Sequence, residues 1–258
     1  MFKRLFLATL ACIFAANLWA SDDPFVGKWK LNQSKSTTSG MQMKIEDLGG
    51  SKYKIGSGNT SDTIVADGTD QPLAMGGTGS VAPDGPNIWK MIIKRDGKIV
   101  SSMTHTLASD GASQTIRGTE TRPDGSSSDF TVVMKRVGAG SGWAGTWEEV
   151  KSEDHASHEL NIEAYEDNGL TFRSPDYAGV VSMKFDGKDY GITGSDDSPD
   201  AKFSGTRAGA ELFQMTFKMK GEVVEKREYK VSQDGKTLTI TTQEVGQPHD
   251  RVEVFDKI

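Results

Sequence analysis

The sequence is short of the groups that most often carry chemistry. It has one cysteine, Cys12, and four histidines among 258 residues. Cys12 lies in a leader: Lys3 and Arg4 open it, Leu5 to Ala16 is an apolar run, and Ala20 precedes Ser21-Asp22-Asp23. That pattern predicts a secretory signal peptide over 1–20, too short and wrongly flanked for a spanning helix. Anchoring as a lipoprotein through Cys12 fits less well, because Thr9 is unusual there and Ile13-Phe14 extend the apolar run. With the leader removed no disulfide is possible, so packing alone must hold the fold in an oxidising compartment. No other segment reads as an apolar span. Loss of Lys3 and Arg4 also moves the formal charge from −6 to −8, and no basic stripe remains to attract nucleic acid or anionic membranes. A periplasmic or extracellular location follows.

Helical periodicity and catalytic signatures are missing as well. No stretch repeats apolar residues at 3.6 spacing. There is no Gly-x-Ser-x-Gly elbow between strand and helix, no phosphate loop and no dinucleotide fingerprint. The expectation is a non-enzyme without a cofactor. What fills the chain is turn chemistry. Asp-Gly pairs occur at Asp67, Asp84, Asp96, Asp110, Asp124, Asp186 and Asp234, with Asn168-Gly169 alike, and such pairs supply the positive φ of tight hairpins. Between them run short alternating segments. Phe213, Met215, Phe217 and Met219 face one way, with Gln214, Thr216 and Lys218 on the other.

The chain also says nearly the same thing twice. Phe25-Val-Gly27-Lys-Trp29-Lys-Leu31 opens one half and Gly142-Trp-Ala-Gly145-Thr-Trp147-Glu-Glu149 the other; Met134-Lys135-Arg136 and Phe255-Asp256-Lys257 close them. Two tandem domains are predicted, 21–137 and 143–258, joined by a Gly-rich linker at 138–142. Each would be an antiparallel meander of about ten short strands, all-β, closed into a barrel that leaves no edge; a pair of open sandwiches is the alternative.

The Gly-x-Trp openings and the basic endings resemble the first and last strands of calycins, the superfamily of lipocalins and fatty-acid-binding proteins. Phe185-Asp-Gly-Lys-Asp-Tyr190-Gly-Ile-Thr-Gly194 is similar to a segment of bacterial secreted lipocalin-like domains, with Gly191 where those carry Pro. The resemblance implies a tryptophan plugging each barrel, with Arg136 stacked on Trp29 and Lys257 on Trp147. Asn32 to Gly40 is too short for the two helices of fatty-acid-binding proteins, so a simpler mouth is implied.

Alternation assigns inward faces. In the first half these carry Trp29 and Leu31, Met41, Met43 and Ile45, Trp89, Met91 and Ile93, Ile99, Ser101, Met103, His105 and Leu107, and Phe130, Val132 and Met134. Thioethers suit an adaptable apolar pocket; a filled core is the plainer reading. The candidate ligand-binding set there is Met43, Trp89, Met91, Met103, His105 and Phe130. His105 as a haem ligand, as in haem-binding barrels of nitrobindin type, is the bolder reading of a core histidine. In the second half charges replace apolar groups: Glu149 for Leu31, Glu225 for Ser101, Arg227 for Met103, Arg251 for Phe130 and Glu253 for Val132. These form either a salt-bridge network or a wet cavity where Arg227, Tyr229 and Arg251 meet a carboxylate. Glu149 would sit beside Arg251 and Glu253, and a catalytic pair of Glu149 with Glu225 is the remaining enzymatic option. His155, His158 and His249 are the metal candidates, if the loops gather them. The functional expectation is binding of a small apolar or amphiphilic molecule; the alternative is an envelope or interaction protein with filled barrels.

Overall fold

The computed structural model describes residues 23–37, 40–194 and 200–258; the leader at 1–20 lies outside them. Twenty strands are present among the described residues. The first ten are β1 Gly27–Leu31, β2 Gln42–Gly49, β3 Lys52–Ser57, β4 Thr60–Val65, β5 Gln71–Pro72, β6 Thr78–Pro83, β7 Ile88–Arg95, β8 Lys98–Leu107, β9 Ser113–Thr121 and β10 Ser127–Ser141. The second ten are β11 Ala144–Asp154, β12 Glu159–Tyr165, β13 Gly169–Arg173, β14 Val180–Lys184, β15 Tyr190–Thr193, β16 Ala201–Gly209, β17 Leu212–Met219, β18 Glu222–Val231, β19 Thr237–Glu244 and β20 Arg251–Lys257. The only helical element among the described residues is a 3-10 turn, Gln33–Lys35. Every pairing is antiparallel, so the all-β, two-barrel fold expected from alternation is what the chain adopts.

The halves do not close on themselves. One sheet is a closed barrel, β1-β12-β13-β14-β15-β16-β17-β18-β19-β20; the other runs β4-β3-β2-β11-β10-β9-β8-β7-β6-β5. The opening strands of the two halves have changed places. β1 lies between β12 and β20, with Trp29 opposite Leu160 and Lys257. β11 lies between β10 and β2, with Trp147 opposite Arg136 and Met43. Sheet pairing therefore crosses the boundary drawn at 138–142. That Gly-rich stretch is no free linker: it is the end of β10, bulged between Val137 and Ser141, and it hairpins directly into β11 with Ser141 opposite Ala144. Gly138 and Gly142 have φ of +77° and +54°, conformations that favour glycine.

The cation–π pairs follow the exchange. Arg136 stands over Trp147 at 4.1 Å and Lys257 over Trp29 at 5.0 Å, the reverse of the expected pairing. Each indole N–H donates to the carbonyl four residues back, Trp29 to Phe25 at 2.9 Å and Trp147 to Trp143 at 3.0 Å. The glycine two residues before each of these tryptophans has a reason too. A Cβ on Gly27 would lie 2.6 Å from Lys257 Cε, and one on Gly145 would collide with Arg136 Nη1, so only glycine lets the cation lie across the ring.

The second sheet is left unpaired between β4 and β5, and side chains bridge that seam. Gln71 accepts from Val65 N at 2.7 Å and donates to Val65 O at 2.8 Å, replacing two ladder bonds. Two cores result. Phe25, Trp29, Phe213 and Tyr229 pack the closed barrel, with Phe213 and Tyr229 stacked at 4.4 Å. Trp89, Trp143 and Trp147 pack the other, Trp89 on Trp143 at 4.2 Å.

Replacing Trp29 by Ala removes a fully buried indole, a loss of about 3–5 kcal/mol for such truncations. Amide exchange should accelerate in β12 and β20 and stay slow in β2 and β10. Loss of protection in β10 instead would refute the exchange.

Candidate functional site

Register establishes which interior positions correspond. Trp89, Met91 and Ile93 of β7 lie opposite His105, Met103 and Ser101 of β8. In β17, Phe213, Met215 and Phe217 lie opposite Tyr229, Arg227 and Glu225. Phe130 and Val132 face Gly118 and Ile116 where Arg251 and Glu253 face Thr242 and Ile240. The exchanges of apolar for charged groups read from the sequence therefore occupy matching sites, except for the pair Leu31 and Glu149 on the opening strands. Leu31 sits against Phe255 in the closed barrel, and Glu149 goes to the other sheet, opposite Met134. Glu149 and Glu225 accordingly lie in different sheets. Ile99, expected inside, is 48% exposed, because a bulge between Ile93 and Lys94 shifts it to the hairpin end.

The two interiors differ in how full they are. Met215, Phe217, Tyr229 and Ile240 are buried, and the lower closed barrel is solid aromatic core. Tyr229 belongs to that core, its hydroxyl lying 3.9 Å from Met215 Sδ and also interacting with the Arg227 guanidinium. In the other barrel the floor is equally tight, with Trp89, Leu107, Ile116 and Met134 buried. Above it, Met43, Met91, Met103, Phe130 and Val132 point inward yet are only partly buried. Gly118 lets the Phe130 ring fold across this level: a Cβ there would lie 2.6 Å from Phe130 Cζ. His105 is buried at the base of this space. Burial holds its imidazole below the usual value, so it is neutral. Its Nδ1 meets Gln114 Oε1 at 3.2 Å, while its Nε2, Gln114 Nε2 and Ser101 Oγ are buried with no protein partner.

The upper ends of the two barrels face each other. Gln247 locks onto Gln42, accepting from its N–H and donating to its carbonyl, both at 2.7 Å, and donates to Ser57 Oγ at 2.8 Å. Ser57 Oγ donates to Glu244 at 2.9 Å, and Asn59 donates to Val223 O at 3.1 Å. Between the mouths lies a charged chamber. Arg227 is chelated by Glu225 through Nε, at 2.8 Å, and Nη2, at 2.5 Å; burial opposes its charge, but Tyr229 and Glu225 more than offset this and hold the guanidinium firmly ionised. Arg251 Nε stands 3.5 Å from Glu253, too far for a hydrogen bond, and is buried without another partner. Desolvation by the surrounding protein lifts the carboxyl groups of Glu149, Glu244 and the more exposed Glu120 above the ordinary range. Arg251 opposes this at Glu149 and Glu244, while Asp154 reinforces it at Glu120 and Glu225 at Glu244. Tyr177 hangs into this space, 71% exposed. Desolvation by the protein around it, then Glu120 and Asp176, raise its phenol, while Arg227 and Arg251 pull the other way.

A second network fixes the loop that carries Tyr177. His158 bridges Asp176, 2.8 Å from Nδ1, and Asp154, 2.7 Å from Nε2, and Asp176 also accepts from Arg122 Nε at 2.7 Å. The Asp176 bond chiefly raises the imidazole pKa to about 9, burial opposes the charge, and Asp154 adds to the rise. Both ring nitrogens are therefore committed as donors. His155 and His249 are exposed and lie elsewhere, His249 against Gly40. Among the described residues no three His, Cys, Asp or Glu side chains are arranged to hold a metal ion. The loops fail to gather the histidines because β11 belongs to the other sheet, so 155–158 crosses between barrels.

Of the residues singled out from sequence, Met43, Met91, Met103 and Phe130 line one space above Trp89 and His105; Arg227 and Arg251 line the chamber. Glu120, Asp176, Tyr177, Thr242 and Glu244 were missed. Glu120 was within reach, since Gln114, Ile116, Gly118 and Glu120 share one parity; Tyr177 is a loop residue with no periodic signal. Two outer clefts, of about 420 Å³ beside Gln42 and Gln247 and about 580 Å³ beside Arg136 and Asp110, lie away from this chamber. No helix among the described residues is long and apolar enough to cross a membrane. No family model matches the chain, and no curated protein or solved structure matches it significantly.

The His158 bridge gives a pH signature. Its folded pKa, about 9, lies above the ordinary 6.5, so its stabilisation is complete below about pH 6.5 and vanishes as pH rises through 9. Thermal melts between pH 6 and 10 should show the parent losing its advantage over His158→Gln across that window. Parallel curves would mean the imidazole is not held by two carboxylates.

Proposed function

We propose that this is an exported carrier of calycin type that takes a small amphiphilic molecule into the Met-lined barrel. One observation carries the reading: Met43, Met91, Met103, Phe130 and Val132 face the lumen but are incompletely covered, and Met215 and Phe217, which take the places of the partly buried Met91 and Ile93 in the other barrel, are buried. Unbranched thioether side chains repack around chains of varied shape. The tryptophan floor closes the far end, so a ligand enters from the mouth between the barrels, apolar part first. The closed barrel, filled below its charged mouth, serves as the fixed wall of that entrance. The apolar run at Leu5 to Ala16 supports export. Paired Gly-x-Trp strands, basic endings and ten-stranded barrels support calycin kinship.

Twelve-carbon alkyl compounds titrated into the full mature chain should quench the fluorescence of Trp89 and Trp143, which lie beneath the lumen. Met103→Trp, which fills the space, should weaken binding at least about tenfold, roughly 1.4 kcal/mol, while shifting the melting temperature by only a few degrees. Unchanged affinity in that variant would place the ligand outside the barrel.

A further inference from the structure

We infer that the bound molecule carries a hydroxyl group on the tip that enters first, received at the base of the Met-lined lumen by His105 and Gln114. This rests on the carrier reading above and names the chemistry selected at the inner end. The two side chains are brought together by their own hydrogen bond, His105 Nδ1 to Gln114 Oε1 at 3.2 Å, and are 7% and 1% exposed. Their other nitrogens, His105 Nε2 and Gln114 Nε2, are buried without a partner. The direct cross-strand neighbours are apolar. His105 lies opposite Trp89 and Ile116, and Gln114 opposite Leu107 and Met134, all four buried. Polar atoms orphaned in such a place are destabilising until a partner arrives.

What the pair lacks identifies that partner. The imidazole is neutral, so one ring nitrogen carries a hydrogen and the other a lone pair. With Nδ1–H donating to Oε1, Nε2 is left to accept and the amide N–H to donate. With the amide turned over and donating to Nδ1, Nε2–H is left to donate and Oε1 to accept. Either way one donor and one acceptor stay unmet, and a hydroxyl supplies both on a single atom. A carboxylate or ketone only accepts, an ammonium only donates, and a metal ion on Nε2 leaves the amide N–H unpaired. The filled barrel has no such pair. At the matching register positions it carries Tyr229 and the wholly buried Leu238, and the Tyr229 hydroxyl already meets Arg227. Met103, the next inward residue on β8, is the unbranched side chain that yields to an arriving tip. Ser101, four residues from His105 on the same strand, marks the mouth. The separation is about 13 Å at the rise of a strand, so a medium-length alkyl chain reaches from one to the other.

The test uses symmetric probes, so that the choice of end cannot matter: 1,10-decanediol, and 1,10-dimethoxydecane, which accepts hydrogen bonds but cannot donate them. Calorimetry on the full mature chain should show the diol binding at least about tenfold tighter, although the ether is the more apolar of the two. Nitrogen-15 spectra should show the His105 imidazole shifted by the diol and not by the ether. In the double variant His105→Phe, Gln114→Leu the preference for the diol should disappear. Ether binding, which needs no donor, reports that this variant folds, and the parent comparison and the spectra decide without it. Equal or tighter binding of the ether by the parent, the result expected if a trapped water satisfies the pair, overturns the hydroxyl assignment and leaves the carrier intact. A folded double variant that keeps the preference does the same. If neither probe binds the parent, the carrier reading falls and this inference with it.

Discussion

The hairpin between β10 and β11 decides how the whole molecule is put together. Ser141 pairs with Ala144 across a two-residue connection, so β11 zips onto β10 with almost no loop to close. β1 ends 96 residues before β10 begins, and pairing there carries a far larger loop entropy. The two opening strands are otherwise interchangeable: each has glycine two residues before tryptophan, and each indole bonds the carbonyl four residues back. With the contacts equal, connectivity chooses. Once β11 covers β10, the open edges left for β1 are those of β12 and β20.

The exchange has a geometric consequence. β1 enters the closed barrel at its tryptophan end and leaves at the mouth, where Thr37 bridges Val252. β11 starts at the tryptophan end of the other barrel and also leaves at the mouth, where Leu31 N donates to His158 O at 2.9 Å. Both crossings sit at the same end of both barrels, so the mouths are drawn against each other. A charged rim buried inside one closed barrel would cost several kcal/mol per unpaired ion. Facing another mouth, the same residues enclose a shared polar chamber and find partners from both sides, as Glu244 does with Ser57 and Asp176 with Arg122.

Much of this was legible in the sequence, and, apart from the bulge that exposes Ile99, the misplacements share one cause. Alternation placed Phe213, Met215 and Phe217 inside, and they are 0%, 3% and 8% exposed. The turn pairs at Asn168, Asp186 and Asp234 fall in the connections between β12 and β13, β14 and β15, and β18 and β19. Equivalence between halves, such as Arg227 for Met103, is reproduced by the registers. What alternation does not encode is which of two near-identical strands a barrel receives. That single ambiguity misplaced Glu149, reversed the Arg136 and Lys257 stacks, and sent 155–158 across the interface. The signal for the right choice lay in Gly138-Ala-Gly-Ser-Gly142, which carries hairpin chemistry between two alternating runs.

Exchange fixes which strands pair but not how closely the mouths approach. Glycine settles that on one side: a Cβ on Gly58 would lie 2.5 Å from Val245 O, and one on Gly246 would lie 2.9 Å from the Gly58 carbonyl carbon. There the backbones touch, and the Gln42–Gln247 pair seals the contact. On the side of the Asp154–His158–Asp176–Arg122 network, long charged side chains span the gap and hold Tyr177 within it. An approach made by backbone on one wall and by side chains on the other leaves a wedge. The width of that wedge is set by the charged network, so the one adjustable wall of the chamber is the wall that carries its titratable groups.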